Sequence, residues 1–551
     1  MIARIFLMLA SLAWAFAAQA EPGSTSLLPT SHFAPLPSAI APSGEATGTL
    51  EVSGGEAMLF SVHTNSFRLD RKALQLDVIP PLRIALVQHG ARVLPVQRGP
   101  IRGTHPHWEW IVQPGAVWRS GNGQVRLSLP VALAERNANC VHNGLLMLQI
   151  GTGRSKADFQ IASETCAYFQ FDMRAQVEAN FTPTDVEGAT QVVASDRRER
   201  ASRIPEQPII DLPFAARLGA EDQVPAGALT VRGAVLGGVH YVGQCDTRAG
   251  PYPFCSEMVL PSYSWAKSLF AGIAAMRLEK LHPGSMRQSI ATYVGGCEEA
   301  GWGDVTVGDA LNMATGHYND RRHEVDEASD LMSRFFLAEM HPEKILIACR
   351  GFGRRTDPGT RFVYRTADTY IAGTAITGIL RTEGRDVRAD IHHDLLQPIW
   401  DELKVSALMA APRRTYDESA IPFAGWGLYL TRADLARIAA FLQRGGTIGG
   451  EVYLDPAMLS EAMQLGSPPH GLRAASDDQR YRHGFWAWNA GPFLGCASHL
   501  WLPLMSGYGG LAAAFLPDDQ LYYHVSDGGT HRWGASARAI HEHQSLCEVS
   551  P

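Results

Sequence analysis

Lysine is scarce in this chain: the 48 basic residues are six lysines (Lys72, Lys156, Lys267, Lys280, Lys344 and Lys404) and 42 arginines. Arginine stays protonated at every relevant pH, whereas a desolvated lysine can lose its proton and act as a base. Lys267 alone among the six has a serine three residues upstream, Ser264, in the stretch SYSWAKSLFAGIAAM (262–276). Leu269, Phe270, Ile273, Ala274 and Leu278 recur at helical spacing, so a helix beginning near Ser264 sets hydroxyl and amine on adjacent turns. A serine hydroxyl is a weak nucleophile until a neighbouring base takes its proton. The start of a helix favours a developing oxyanion and disfavours a protonated amine beside it. S-x-x-K is a short pattern, and a serine at a helix start near a solvated lysine fits the same residues.

Two further stretches bear on that choice. Residues 357–380, DPGTRFVYRTADTYIAGTAITGIL, read as a Pro-Gly turn, an extended piece ending in Tyr364, then a helix. Residues 504–528, LMSGYGGLAAAFLPDDQLYYHVSDG, read as a glycine-rich turn leading into strands. With Ser264-x-x-Lys267 in this order and at these separations, residues 212–547 resemble the β-lactamase-related serine hydrolases: class C β-lactamases, DD-peptidases and esterases of one fold. VTVGDALNMATG (305–316) looks like the helix after the nucleophile in that family, and GWGLYLTRADLARIAAFLQRGG (425–446) like its Gly-Gly-Leu segment and following helix.

The resemblance implies a role for each matching residue. Ser264 is acylated, with Lys267 hydrogen-bonded to it. Tyr364 matches the tyrosine of Tyr-x-Asn and shuttles the proton, as a phenolate with its pKa lowered by cations or through the lysine. Tyr508, Gly509 and Gly510 match the third motif, and the backbone N–H groups of Ser264 and Leu511 form the oxyanion hole. Thr366 stands where the family often has the asparagine that holds an acyl-amide group, and Tyr508 where β-lactamases have a lysine for the β-lactam carboxylate. Both departures favour an ester over an antibiotic as substrate. A buried core tyrosine and an ordinary hairpin turn are the plain alternatives for Tyr364 and 507–510.

These residues need a scaffold. Period-two patterning between about 49 and 175, as in Leu50/Val52 and Val125/Leu127/Leu129/Val131, predicts an all-β module of sandwich type over 49–180. Its Trp108, Trp110 and Trp118 fit a small β core better than a ligand platform. Residues 21–48 read as a flexible lead-in and 181–211 as a polar linker. From 212 to 551 helical spacing at 266–280, 304–315, 367–380 and 432–444 mixes with strands at 511–516 and 521–526. The expected fold is α/β and two-domain: the β-sandwich-like module, then a β-lactamase/transpeptidase-like domain with an antiparallel sheet flanked by helices.

Composition excludes several classes. A net charge of −7 with mixed signs argues against a nucleic-acid surface. Residues 1–20, MIARIFLMLASLAWAFAAQA, read as a secretory signal peptide, and no later run is apolar for long enough to span a bilayer. The protein is therefore expected in the periplasm or outside the cell. The even set of eight cysteines there favours disulfides, with several connectivities open. Nearest-neighbour pairing gives Cys140–Cys166, Cys245–Cys255, Cys297–Cys349 and Cys496–Cys547. His323-Glu324-Val325-Asp326-Glu327 opens like HExxH and lacks its second histidine, and His392-His393 and His541-Glu542-His543 have no third ligand. No metal or cofactor is expected, and G-x-S-x-G is absent. The reading is metal-independent serine hydrolysis of a small-molecule ester or amide through a Ser264 acyl-enzyme. The alternative is a non-catalytic protein on the same fold that binds peptidoglycan or a partner; a binder has no need of a titratable lysine.

Overall fold

The computed structural model describes residues 26–547 apart from 152 and 385. The signal-peptide expectation lies outside these residues. Residues 26–48, expected as a flexible lead-in, instead lie against the β module. Leu28 is 4% exposed and Phe33 fully buried, and Leu28 N–H donates to Gln160 Oε1 at 2.7 Å. Two apolar side chains in a Pro/Ser-rich segment suffice to dock it, which composition alone does not register.

The module is all-β and antiparallel: ten strands form its main sheet, and the short strands Gly55–Glu56 and Val78–Ile79 pair separately. The strand Gly48–Val52 pairs with Leu82–His89 on one side and with Phe169–Pro183 on the other. The core expected between two packed sheets is therefore enclosed by one sheet curved on itself. Alternation of inward and outward residues is common to both arrangements. The 15-residue strand Phe169–Pro183 makes the closure possible, because its other half pairs with Leu59–Asn65. Trp108 and Trp110 are core residues, 1% exposed, whose indole N–H groups donate to Leu76 O (3.1 Å) and Pro80 O (3.0 Å). Trp118 is also buried.

Much of the polar stretch 181–211 is the helix Ala189–Ala201, with Asp196 and Glu199 on its buried side. Asp196 takes Arg92 at 2.8 Å, and Glu199 takes Arg98 at 2.5 Å and Arg203 at 2.8 Å. Buried carboxylates are tolerated where guanidinium groups pair with them. A helix with charges on its inner face carries no apolar stripe, so helical periodicity could not reveal it.

The second region is built on a nine-stranded sheet, antiparallel except where Glu206–Pro208 joins Val239–Val242. Its strands Leu511–Leu516 and Gln520–Ser526 are fully buried and sort their side chains by parity. Ala512, Ala514, Leu516 and Tyr522 meet Ala537 and Ile540 of the C-terminal helix Gly534–His543. Leu511, Ala513, Phe515 and Tyr523 meet the opposite layer, which includes Leu269, Phe270 and the helices Thr366–Glu383 and Arg432–Gln443. That layer is continuous with the core of the β module. Polar contacts also tie the two regions together: Asn143 Nδ2 donates to Val259 O (3.0 Å), and buried Arg413 pairs with Glu109. The four disulfides join nearest neighbours: Cys140–Cys166, Cys245–Cys255, Cys297–Cys349 and Cys496–Cys547. No helix of the described residues is long and apolar enough to cross a membrane.

Candidate active site

Ser264 lies in the turn that enters the helical segment, and its backbone is held from both regions. Asn139 Oδ1, from the β module, accepts Tyr263 N–H at 2.6 Å, and Leu428 O accepts Ser262 N–H at 3.0 Å. Tyr263 itself sits at φ +39°, a left-handed conformation that costs an aromatic residue about 1–3 kcal/mol. Its buried hydroxyl donates to Thr165 O at 3.0 Å, which fixes the ring and with it the turn.

The segment after Ser264 begins not as a regular α-helix but with a π-helical turn, Lys267–Gly272, before the α-helix Ile273–Leu281. Two glycines allow it to press against the neighbouring chain. A Cβ on Gly272 would stand 2.6 Å from His483 O, and one on Gly484 (φ +89°) 2.2 Å from Lys267 O. Ser268 Oγ donates to Gly484 O at 2.7 Å across the same contact. Wide turns of this kind recur at functional sites because they re-aim one side chain without ending the helix.

That side chain is Lys267, 2% exposed. Its Nζ donates to Ser264 Oγ (2.8 Å), Thr366 Oγ1 (2.8 Å) and Gly425 O (3.3 Å). Burial pulls its pKa down to about 8, against the pull of Glu327 and Glu324, which hold the proton on. At pH 7 about a tenth of the molecules then carry a neutral amine there, against well under 0.1% for an ordinary lysine. Tyr364 Oη donates to Ser264 Oγ at 2.7 Å, and its ring centroid lies 5.0 Å from Lys267 Nζ. Ser264, Lys267 and Tyr364, expected together from two separate stretches, therefore meet at one hydroxyl.

Several expectations change in detail. Burial, with Glu327 nearby, raises the Tyr364 pKa well above its ordinary value, so the resting group is a neutral phenol and not a phenolate. Trp486 (ring centroids 5.8 Å apart) and His323 (6.3 Å) stack with the phenol and fix its plane. Thr366, expected on the substrate, is 1% exposed and spends its hydroxyl inside the protein, on Lys267 and on Glu327 Oε1 at 2.5 Å. The cause is its place at the first turn of the helix Thr366–Glu383, where Glu327 Oε2 also accepts Thr366 N–H at 2.7 Å. Sequence reasoning missed Glu327. It lies 39 residues before Thr366, in the stretch that fails as a zinc motif, and nothing local marks the pairing.

The glycine-rich turn closes the other side of the site. Gly507 ends the strand Trp501–Gly507 and packs on the nucleophile's turn: a Cβ there would lie 3.3 Å from Ser262 O. Gly509 (φ +86°) and Gly510 (φ +117°) complete the hairpin in conformations that side chains disfavour. Leu511 is buried and faces Gly507 across the ladder. Tyr508 is 47% exposed, its ring 5.7 Å from that of Tyr263 and 6.3 Å from that of Tyr168. Phe67, 61% exposed, stacks on Tyr168 at 4.3 Å, so the β module extends an aromatic ledge to the site's rim. Among the described residues neither Ser264 N–H nor Tyr508 N–H has an acceptor.

Among the described residues, the side chains of His323 and His392 are taken up by other contacts. His323 stacks on Trp486 at 5.7 Å, and His392 Nε2 donates to Met409 O at 3.1 Å in the core. Glu135, His142 and Cys166 approach one another inside the β module, but Cys166 is bonded to Cys140 and the Tyr168 hydroxyl donates to Glu135 at 2.6 Å. A disulfide sulfur has no thiolate to offer a metal.

No protein-family model matches the chain, and no curated protein does. Among solved structures it is similar to EstCE1, a hydrolase with promiscuous acyltransferase activity, at 14% identity and TM-score 0.43, over 63% of this chain and 98% of that one. A class C β-lactamase matches at 13% identity and TM-score 0.43, over 64% and 98%. The D-alanine carboxypeptidase AmpC from Burkholderia cenocepacia matches at 14% and 0.42, over 63% and 99%.

Proposed function

We propose that the protein is a metal-independent serine hydrolase that cleaves esters, or amides, through an acyl-enzyme on Ser264. The observation that carries this reading is the convergence of Lys267 Nζ (2.8 Å) and Tyr364 Oη (2.7 Å) on Ser264 Oγ. In the neutral state of Lys267 its lone pair takes the Ser264 proton as Oγ bonds to the acyl carbon. The oxyanion is received by Ser264 N–H and by an N–H at the end of the glycine-rich turn: Leu511, the expected donor, pairs with Gly507 in the ladder, while Tyr508 N–H has no acceptor among the described residues. Tyr364, a hydroxyl rather than a phenolate, hands the proton from the lysine to the leaving group. Water then repeats the sequence on the acyl-enzyme.

The electrostatics favour uncharged substrates. The charges coupled to Lys267 are the two acids Glu327 and Glu324, and burial is what shifts Tyr508. No basic side chain stands at the motif position where a β-lactam carboxylate binds in the resembled family. The aromatic ledge of Tyr508, Tyr168 and Phe67 suits an apolar acyl or leaving group. Export is the matching location, supported by the four disulfides, which persist in oxidising compartments. A fluorophosphonate probe should add its mass to Ser264 in the wild-type chain and not in Ser264→Ala. Labelling of the alanine variant to the same extent, or turnover of a nitrophenyl ester at the wild-type rate, would refute the mechanism.

A further inference from the structure

Lys267 has a second hydroxyl partner, and that hydroxyl belongs to a chain of bonds. Thr366 Oγ1 lies 2.8 Å from Lys267 Nζ and 2.5 Å from Glu327 Oε1. Glu327 Oε2 accepts Thr366 N–H at 2.7 Å, so the carboxylate is clamped in two places. Burial raises the Glu327 pKa, while Lys267 and the two bonds from Thr366 pull it down; in its ionised form the carboxylate can only accept, and a threonine hydroxyl has one hydrogen. The hydrogen is thereby committed to Glu327, and what Thr366 offers Lys267 is a lone pair. A neutral amine has two N–H bonds and one lone pair. With one N–H on Thr366 Oγ1 and the other on Gly425 O (3.3 Å), the direction left over runs to Ser264 Oγ (2.8 Å). Gly425 is held to this task by space, since a Cβ there would stand 3.0 Å from Thr366 Cγ2.

We propose that Glu327 is a positioning residue for the attack by Ser264: acting through the Thr366 hydroxyl, it aims the lone pair of Lys267 at Ser264 Oγ. The inference rests on the acyl-enzyme reading above. In the step it serves, the Ser264 O–H bond breaks, an N–H bond forms on Lys267 and an O–C bond forms to the substrate. Glu327 neither gains nor loses a proton. Other groups around Lys267 do not supply the same constraint. Glu324 acts on it only through charge, Tyr364 presents its ring face at 5.0 Å, and Arg365 is committed to Asp368 one turn along. His323 stands behind Tyr364, and His531 is near Ser506, with 3.4 Å between Nδ1 and Oγ.

The test compares Thr366→Val, Thr366→Ser and Glu327→Gln with the wild type. Acylation by a fluorophosphonate probe is followed by mass between pH 6 and 9.5, and kcat and KM are measured on a short-chain nitrophenyl ester. Thr366→Val and Glu327→Gln should lose tenfold or more in acylation rate and kcat, with KM within about threefold. Thr366→Ser, which restores the hydroxyl, should return to within about threefold of wild type. In Glu327→Gln the midpoint of the rate–pH curve should move to lower pH, because an acid that held the proton on Lys267 is gone. A merely structural Glu327 would lower the yield of active protein and leave that midpoint in place. The inference is overturned by wild-type acylation in Thr366→Val, by a serine variant as slow as the valine one, or by an unmoved midpoint in Glu327→Gln. If Thr366→Val does not fold, the nearly isosteric Glu327→Gln decides. A wild-type chain that takes up no probe at Ser264 refutes the acyl-enzyme reading itself, and labelling of Thr366→Val at the wild-type rate refutes only this inference.

Discussion

Replacing Lys267 by methionine should abolish acylation and make the protein more stable at neutral pH. Lys267 is 2% exposed, and burial brings its pKa from 10.5 to about 8. A cation whose folded pKa is depressed opposes folding: the penalty is complete below the folded value and gone above the unfolded one. The gap between 10.5 and about 8 corresponds to about 3 kcal/mol of lost stability at pH 7. Methionine fills a similar volume without the charge. Against that gain, Thr366 Oγ1 and Gly425 O each lose a donor, a cost of about 1–2 kcal/mol together. The variant should therefore be about 1–2 kcal/mol more stable than wild type at pH 7. At pH 9.5 most folded molecules already carry the neutral amine, and the wild-type penalty falls to about 1.4 kcal/mol. The advantage of the variant should thus shrink by about 2 kcal/mol between the two pH values. Urea unfolding followed by tryptophan fluorescence at pH 7 and pH 9.5 measures this directly, and groups that titrate alike in both chains cancel in the difference. A stability difference that does not change with pH would refute a depressed Lys267, and with it the base assigned to the reaction.

The remaining predictions concern catalysis. Lys267→Arg should be nearly as inactive as Lys267→Ala, because guanidinium keeps the charge and cannot accept the serine proton; kcat/KM within about tenfold of wild type would reduce Lys267 to an electrostatic role. Ester turnover should run well ahead of cephalosporin turnover, since the acids around Lys267 repel a carboxylate and Tyr508 offers no cation to hold one; a higher kcat/KM for a chromogenic cephalosporin than for a short-chain nitrophenyl ester would sink this. Turnover of the ester by wild type should rise about tenfold per pH unit below a midpoint near the Lys267 pKa of about 8 and level off above it; a flat profile from pH 6 to 8.5 would contradict the lysine as base.

The candidate trio was legible through the family resemblance that its stretches carry, and local pattern placed each member on an element. Ser264 and Lys267 share a local spacing, and Tyr364 stands before a helix whose apolar periodicity is strong, so each residue could be placed on an element before the elements were assembled. The strands 511–516 and 521–526 were equally plain, because strands buried on both faces read as continuous apolar runs. Nearest-neighbour pairing of the cysteines was one option among several, and the structure adopts it.

Other features have no local signature. Period-two alternation does not say whether a sheet faces a second sheet or closes on itself; the pairing of Gly48–Val52 with both Leu82–His89 and Phe169–Pro183 does. The helix Ala189–Ala201 buries Asp196 and Glu199 against arginines, so its inner face reads as solvent-facing in sequence. The π turn at Lys267–Gly272 depends on close contacts of Gly272 and Gly484 with backbone more than 200 residues away in the chain.

Residue types and order along the chain pointed to a serine, a depressible lysine and a tyrosine as candidates for the proposed acyl transfer, since that chemistry resides in the groups themselves. Tertiary structure decided how they are held. Thr366 belongs to the lysine and not to a substrate because Glu327, from a loop with no motif of its own, accepts both its N–H and its hydroxyl. The pKa of Lys267 is set by burial and by the distance of two acids, neither of which a linear sequence specifies. Hydrogen bonds act over about 3 Å, and only the folded chain links residues 264, 267, 327, 364, 366 and 425 through successive bonds of that length.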